Sequence, residues 1–248
     1  MSTKQTPTSI TSPNDSGLDM RFRAYCERYS NEIGLAEIEG MDIIIHPRVY
    51  RAEGASTTAT LLQALGSPTG QRVLDMGCGT GVLGIFAALR GAKHVILADK
   101  SPEAVENARA NVQYHGFSDR CEVIESDLFG ALGEARFDLI MFNMPFLYGD
   151  GRPLEFPVSS ERRTAIPRED AFMDVGYGMI RRFLTEAPHH LSRHGTILCS
   201  FASFGNHQAL DAILSDNGLT RRTAAIRVEE RYGLEYLAYE ISPLRETA

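Results

Sequence analysis

No stretch of this 248-residue chain approaches the roughly 20 consecutive apolar residues needed to span a bilayer, which excludes a helical membrane protein. The opening MSTKQTPTSITSPNDSG carries no apolar signal region, which argues against secretion. Cysteine is scarce and scattered, at Cys26, Cys78, Cys121 and Cys199, with no Cys-x-x-Cys pair. That spacing argues against a zinc site or disulfide framework and fits the reducing cytoplasm. Positive charge is also short. The formal net charge of −7 gives no general attraction to phosphate backbones, so it weighs against a nucleic-acid substrate without ruling out a local basic patch. Arg162-Arg163, Arg181-Arg182 and Arg221-Arg222 are the candidate patches, and each reads first as solvated surface charge. There is no internal repeat.

What remains is an ordinary soluble composition, 43% hydrophobic and 23% charged, long enough for a substantial core. Residues 1–18 are rich in Ser, Thr, Pro, Asn and Asp and are expected to be a flexible tail. Residues 19–54 are expected to form an N-terminal segment: a short helix over 19–30, then a hairpin from the apolar runs Leu35–Ile38 and Asp42–Ile45. A helix, Thr57–Leu65, follows Ser56. From Arg72, expected strands (Val73–Met76, His94–Ala98, Glu122–Glu125, Phe137–Phe142, Thr196–Phe201) alternate with helices. The helices are Val82–Arg90 closed by Gly91, Pro102–His115 capped by Ser101 and closed by Gly116, and Tyr177–Leu191. Such alternation implies a parallel sheet covered on both faces. After a helix at about 207–215, the runs Thr223–Glu229 and Glu235–Ile241, joined by Arg231-Tyr232-Gly233, predict an antiparallel hairpin. The expectation is one α/β domain over 55–248, with a doubly wound, mostly parallel seven-stranded sheet ending in that hairpin.

The chemistry concentrates at the ends of these strands. Val73-Leu74-Asp75 runs into Gly77, Gly79 and Gly81 at alternate positions, and a helical pattern begins at once. Glycine lets the backbone turn tightly and a ligand lie against it, so this turn is built for a nucleotide-like ligand at a strand's carboxyl end. Gly79-x-Gly81-x-x-Gly84 also satisfies the dinucleotide fingerprint, which leaves an NAD-type oxidoreductase as an alternative. Asp99 ends the second strand, where a carboxylate can accept from ribose hydroxyls. Glu125-Ser126-Asp127 ends the third and offers an acceptor for an amino group. The fourth ends in Asn143-Met144-Pro145-Phe146, a tetrapeptide that a dinucleotide enzyme does not need.

Asp75-x-Gly77-x-Gly79-x-Gly81, Asp99, Asp127 and Asn143–Phe146 together resemble the ordered motifs of class I S-adenosylmethionine-dependent methyltransferases. The last motif is similar to the Asn-Pro-Pro-Tyr/Phe signature of enzymes that methylate planar nitrogens, such as the HemK/PrmC-type glutamine methyltransferases and their small-domain relatives acting on RNA bases. The stretch from Asp174 to Pro188 resembles the helix after that motif in the glutamine enzymes. The resemblance covers about 45–245 and implies a Rossmann-like methyltransferase fold with S-adenosyl-L-methionine as cofactor. It implies a cofactor set of Asp75, Gly77, Gly79, Thr80, Gly81, Asp99, Lys100, Asp127, Leu128 and Asn143, and catalytic roles for Asn143, Pro145 and Phe146. The expected acceptor is a planar nitrogen (amide, guanidinium or heteroaromatic amine) of a small molecule or protein side chain. The alternatives are methylation of a nucleic-acid base, NAD chemistry, or binding without catalysis. Met144 departs from the pattern: proline is usual there, and its fixed φ is lost. His46, Tyr50, Met144 and Tyr148 are candidate substrate contacts, and the irregular stretch 148–170, with Arg152, Glu161, Arg162 and Arg163, is a candidate lid. His190 and His194 have the helical spacing of metal ligands, but histidine in a last helical turn is expected from the helix dipole, and no metal is expected.

Overall fold

The computed structural model describes residues 33–50, 52, 56–149, 173–230 and 233–244. The expected tail and first helix, Cys26 and residues 150–172 lie outside the described residues. The chain first forms a hairpin, β1 (Gly34–Ile38) and β2 (Met41–Ile45), turning at Glu39 and Gly40. α1 (Ser56–Ala64) leads into β3 (Arg72–Met76), α2 (Val82–Leu89), β4 (His94–Asp99), α3 (Pro102–Tyr114), β5 (Cys121–Glu125) and β6 (Phe137–Phe142). Two short strands, β7 (Leu147–Gly149) and β8 (Met173–Val175), pair in parallel as a separate ladder. Next come α4 (Gly178–Glu186), a 3₁₀ turn at Ala187–His190, β9 (Leu191–Ala202), α5 (His207–Asp216), β10 (Leu219–Glu229) and β11 (Leu234–Pro243).

The main sheet has seven strands in the order β10-β11-β9-β6-β3-β4-β5. β5, β4, β3, β6 and β9 are parallel, and β11 runs antiparallel to both β9 and β10. The chain winds outward from β3 through β4 to β5, then returns to place β6 on the other side of β3. This reversal opens a crevice at the carboxyl ends of β3 and β6, where ligands bind in open α/β sheets.

The strands are apolar on both faces because both faces are covered. Val73, Leu97, Leu139, Met141 and Leu198 point into one layer with α1, α2, α3 and the β1–β2 hairpin. Leu74, Ile96, Ile140, Ile197 and Phe201 point into the other with α4 and α5. Two fully buried asparagines one helical turn apart on α3 bind the hairpin to the first layer. Asn111 accepts from the Ile44 amide at 2.8 Å and donates to the Ile44 carbonyl at 2.7 Å and the Thr80 carbonyl at 2.9 Å. Asn107 accepts from the His46 amide and donates to the Ile44 carbonyl, both at 2.8 Å. One edge of β2 is therefore satisfied by side chains rather than by a neighbouring strand, and the same pair reaches the glycine loop through Thr80.

Several expected boundaries shift. The expected helix Tyr177–Leu191 ends at Glu186, because Pro188 opens the 3₁₀ turn, and β9 begins at Leu191 rather than Thr196. His190 and His194 therefore do not share a helix. His190 stacks on Phe129 at 4.4 Å between centroids, with Nδ1 2.8 Å from the Ala135 carbonyl. The final hairpin is longer than its apolar runs, because polar pairs such as Arg222 opposite Glu240 extend the ladder.

Candidate active site

The glycine loop leaves β3 at the crevice. Gly77, Gly79 and Gly81 all hold left-handed φ, at 61°, 55° and 81°. At Gly77 a Cβ would lie 2.9 Å from the Phe142 ring, so the loop runs directly against the end of β6. Among the described residues nothing lies within 4 Å of the Cβ position at Gly79, so they leave that side of the turn open. Gly84, the third glycine of the apparent dinucleotide fingerprint, lies inside α2, where a Cβ would sit 2.7 Å from Leu97. It is there for helix–strand packing, which explains how the fingerprint arises without a dinucleotide.

Asp75 is almost fully buried, and its Oδ2 accepts from the Gly84 amide at 2.8 Å. Burial pushes its carboxyl up to about 8, against the opposing effect of that amide. Asp99 uses both oxygens on the backbone: Oδ2 accepts from Gly79 and Oδ1 from Ser101, each at 2.9 Å. Burial raises its carboxyl too, while these amides pull it back. The Lys100 backbone amide also bonds this carboxylate, whose remaining lone-pair capacity is left for a ribose hydroxyl. Asp127 lies at the same edge in an exposed ion pair with Arg182 at 3.1 Å, its side chain 60% accessible. Such a pair holds its geometry weakly, so Asp127 is free to exchange partners. Leu128, buried and left-handed at φ 50°, is tied down through its carbonyl by the Ser126 hydroxyl at 2.6 Å. Thr80 is buried and Lys100 is exposed at the end of β4.

These residues fit the cofactor implied by the sequence. The loop offers a backbone cradle, Asp99 a carboxylate acceptor held by backbone amides, and Asp127 a further one at the rim.

Across the crevice, Asn143 leaves β6. The Ser200 hydroxyl donates to its Oδ1 at 2.7 Å, and the Tyr50 hydroxyl is hydrogen-bonded to both Asn143 and Thr57. The Met144 amide donates to the Phe142 carbonyl at 2.9 Å, and its side chain is buried in the α4–α5 layer. Met144 therefore presents main chain rather than side chain to the crevice. Pro145 is buried. The Phe146 carbonyl accepts from the Tyr177 hydroxyl at 2.7 Å, and that hydroxyl accepts from the Asn206 amide at 2.9 Å. The Phe146 ring packs edge-to-face against Phe204 at 5.5 Å and Tyr236 at 6.5 Å.

The structure thus brings the glycine loop, Asp75, Asp99, Asn143–Phe146 and Tyr50 to one edge of the sheet. The His46 side chain has no hydrogen bond to them among the described residues, and the Tyr148 side chain and most of the candidate lid lie outside those residues. Ser200 and Tyr177 were not among the expected site residues. The available signal was a hydroxyl inside the apolar run Ile197–Ala202, and a bulky residue between two glycines.

A family profile described as methyltransferase small domain matches residues 40–155. A protein of Methanocaldococcus jannaschii, provisionally assigned as a protein N5-glutamine methyltransferase, is 30% identical over 170 residues, covering 66% of this chain and 77% of that protein. The chain belongs to the S-adenosylmethionine-dependent methyltransferases. The ribosomal protein uL3 glutamine methyltransferase of Bradyrhizobium diazoefficiens is 37% identical over 131 residues, covering 52% of this chain but only 40% of its own length. The fold matches the Thermus thermophilus 16S rRNA N2 G1207 methyltransferase in complex with AdoMet and guanosine, with a TM-score of 0.58 at 22% identity, over 86% of this chain and 50% of that one. Membership of this family sets the NAD reading aside and makes this methyltransferase S-adenosylmethionine-dependent.

Proposed function

We propose that this methyltransferase acts on a planar nitrogen, with a protein glutamine side-chain amide as the first acceptor to test. The observation that carries this reading is Asn143: a neutral carboxamide held at the end of β6, across the crevice from the glycine loop. The nitrogen of an amide has a delocalised lone pair and is a poor nucleophile. Fixed acceptors for its N–H groups draw it towards a pyramidal, attacking geometry, and Asn143 Oδ1 and the Met144 carbonyl are placed to accept. Phe146 supplies an aromatic surface for the planar group, and its neighbours Phe204 and Tyr236 help keep water out. S-adenosylmethionine supplies an electrophilic methyl group when bound. Asp75, Gly77–Gly81, Asp99, Lys100, Asp127 and Leu128 hold and orient it, so catalysis rests on positioning rather than on a covalent enzyme intermediate. The reducing cytoplasm is the compartment we infer, supported by free, buried thiols at Cys78, Cys121 and Cys199.

Methyl-labelled S-adenosylmethionine incubated with a blocked glutamine peptide and, separately, with guanosine tests the acceptor. Label in the peptide supports the amide reading, and label in guanosine alone overturns it in favour of a base. Asn143→Ala lowers turnover by at least about 100-fold while S-adenosylhomocysteine binding stays within about tenfold by calorimetry, that is within about 1.4 kcal/mol. Full turnover in that variant removes Asn143 from the acceptor role.

A further inference from the structure

Ser200 is the one hydroxyl in the apolar run Ile197–Ala202 of β9 and is completely inaccessible to solvent. Its donation to Asn143 Oδ1 at 2.7 Å follows from the sheet itself. The β6–β9 ladder pairs Phe142 with Cys199, so the next residue of each strand, Asn143 and Ser200, falls side by side on the same face. The Tyr50 hydroxyl, brought in after the hairpin that α3 anchors, reaches the same carboxamide and also Thr57 on α1.

A primary carboxamide has two ends of nearly equal shape and opposite function. Turning it by 180° replaces the acceptor oxygen with an NH₂ group that would meet the acceptor's N–H groups donor to donor. Nothing in the Asn143 backbone selects between the two. We propose that Ser200 and Tyr50 form a positioning pair that holds the Asn143 carboxamide with its oxygen towards the methyl acceptor. The proposal rests on the nitrogen-methylation reading of this site. Ser200 fills one lone pair of Oδ1 from the sheet side and leaves the second for the incoming N–H. The contact with Tyr50 completes a clamp from the opposite layer of chain, so a flip obliges both hydroxyls to exchange donor and acceptor roles at once, and the Tyr50 hydroxyl is also committed to Thr57. Ser200 does not touch the reacting atoms and acts through Asn143.

The test has two arms on the full chain. In ¹⁵N-labelled protein, the Asn143 side-chain NH₂ pair, assigned by its loss in Asn143→Asp, is a resolved and slowly exchanging doublet. Ser200→Ala shifts and broadens it, and an unchanged doublet overturns the proposal. In turnover of the blocked glutamine peptide, Ser200→Ala lowers kcat by about tenfold or more, with the KM for S-adenosylmethionine nearly unchanged. Ser200→Cys, which keeps the volume and a weak donor, falls between the two. Tyr50→Phe also lowers kcat, and its combination with Ser200→Ala costs less than the product of the two single effects, because both act on one amide. A lowered melting temperature with unaltered kcat is what a merely structural hydroxyl gives, and it overturns the proposal. If the wild type leaves the peptide unlabelled, the amide reading fails on its own, and the NMR arm still decides the clamp.

Discussion

Met144 stands where the Asn-Pro-Pro-Tyr/Phe signature that this stretch resembles has proline, and its surroundings show how a methionine is accommodated there. Its amide donates to the Phe142 carbonyl, a bond that proline has no hydrogen to make, and its side chain fills space beside α4. The rigidity that a fixed φ would give comes instead from a tight turn and a packed thioether. Met144→Pro therefore destabilises the protein, by about 2–4 kcal/mol, rather than restoring a lost motif. Urea unfolding checks this. Asp75 gives a second single-residue prediction. Its carboxyl is held up to about 8 in the folded chain, far above its value in an unfolded one. Between those limits the folded chain keeps a proton that the unfolded chain has released, so stability falls as pH rises from about 5 to about 8. Asp75→Asn flattens that slope, and denaturation midpoints measured across this range in both proteins show it. A slope identical in the two assigns the pH dependence elsewhere.

The element with the most consequence for the site is the β1–β2 hairpin. It has no strand partner in the main sheet and is seated on α3 by Asn107 and Asn111, four residues apart on the buried face of the helix. Asn111→Ala leaves the Ile44 and Thr80 backbone groups short of partners in a buried place. It costs about 2–3 kcal/mol of stability. It also loosens Tyr50 and the glycine loop together, so cofactor binding weakens along with the fold. Calorimetry with S-adenosylhomocysteine beside thermal unfolding measures both, and loss of stability with unchanged binding separates the hairpin from the loop. This element marks the boundary of what the chain revealed before folding. The hairpin was legible from its two apolar runs about Glu39-Gly40, and the α/β alternation from the period of the apolar residues and the glycine stops after α2 and α3. The anchoring asparagines were not, because a polar residue inside a helix reads as solvent-facing until the helix's buried side is known. The site split the same way. Motifs whose geometry is local, Gly77–Gly81 and Asn143–Phe146, could be read off the sequence. Ser200, 57 residues from Asn143, depends on which strands become neighbours and in what register. β7 and β8 escaped notice because three residues are too few for any period.

Across the whole molecule the charge balance is −7, and the arginines near the described surface are largely engaged: Arg181 with Asp216, Arg182 with Asp127, Arg221 with Asp211 and Arg222 with Glu240. Two of the three doublets that might have made a basic face are in this way neutralised in part, so the described surface has little with which to release counterions from a nucleic acid. Methyl transfer to a protein amide is expected to change by less than about threefold between about 50 and 200 mM salt. A fall of about 10³-fold over that range is instead the signature of several phosphate contacts and points to RNA. The parallel pairing of β7 with β8 matters at this scale too. It fastens together the chain on either side of residues 150–172, immediately downstream of Asn143–Phe146. The ends of that insertion are thus closed by the scaffold, and doubling its length adds only about 0.6 kcal/mol of closure entropy. The scaffold therefore tolerates changes in the length of the intervening stretch at little cost to its own closure, because the two short strands, and not that stretch, hold its ends together.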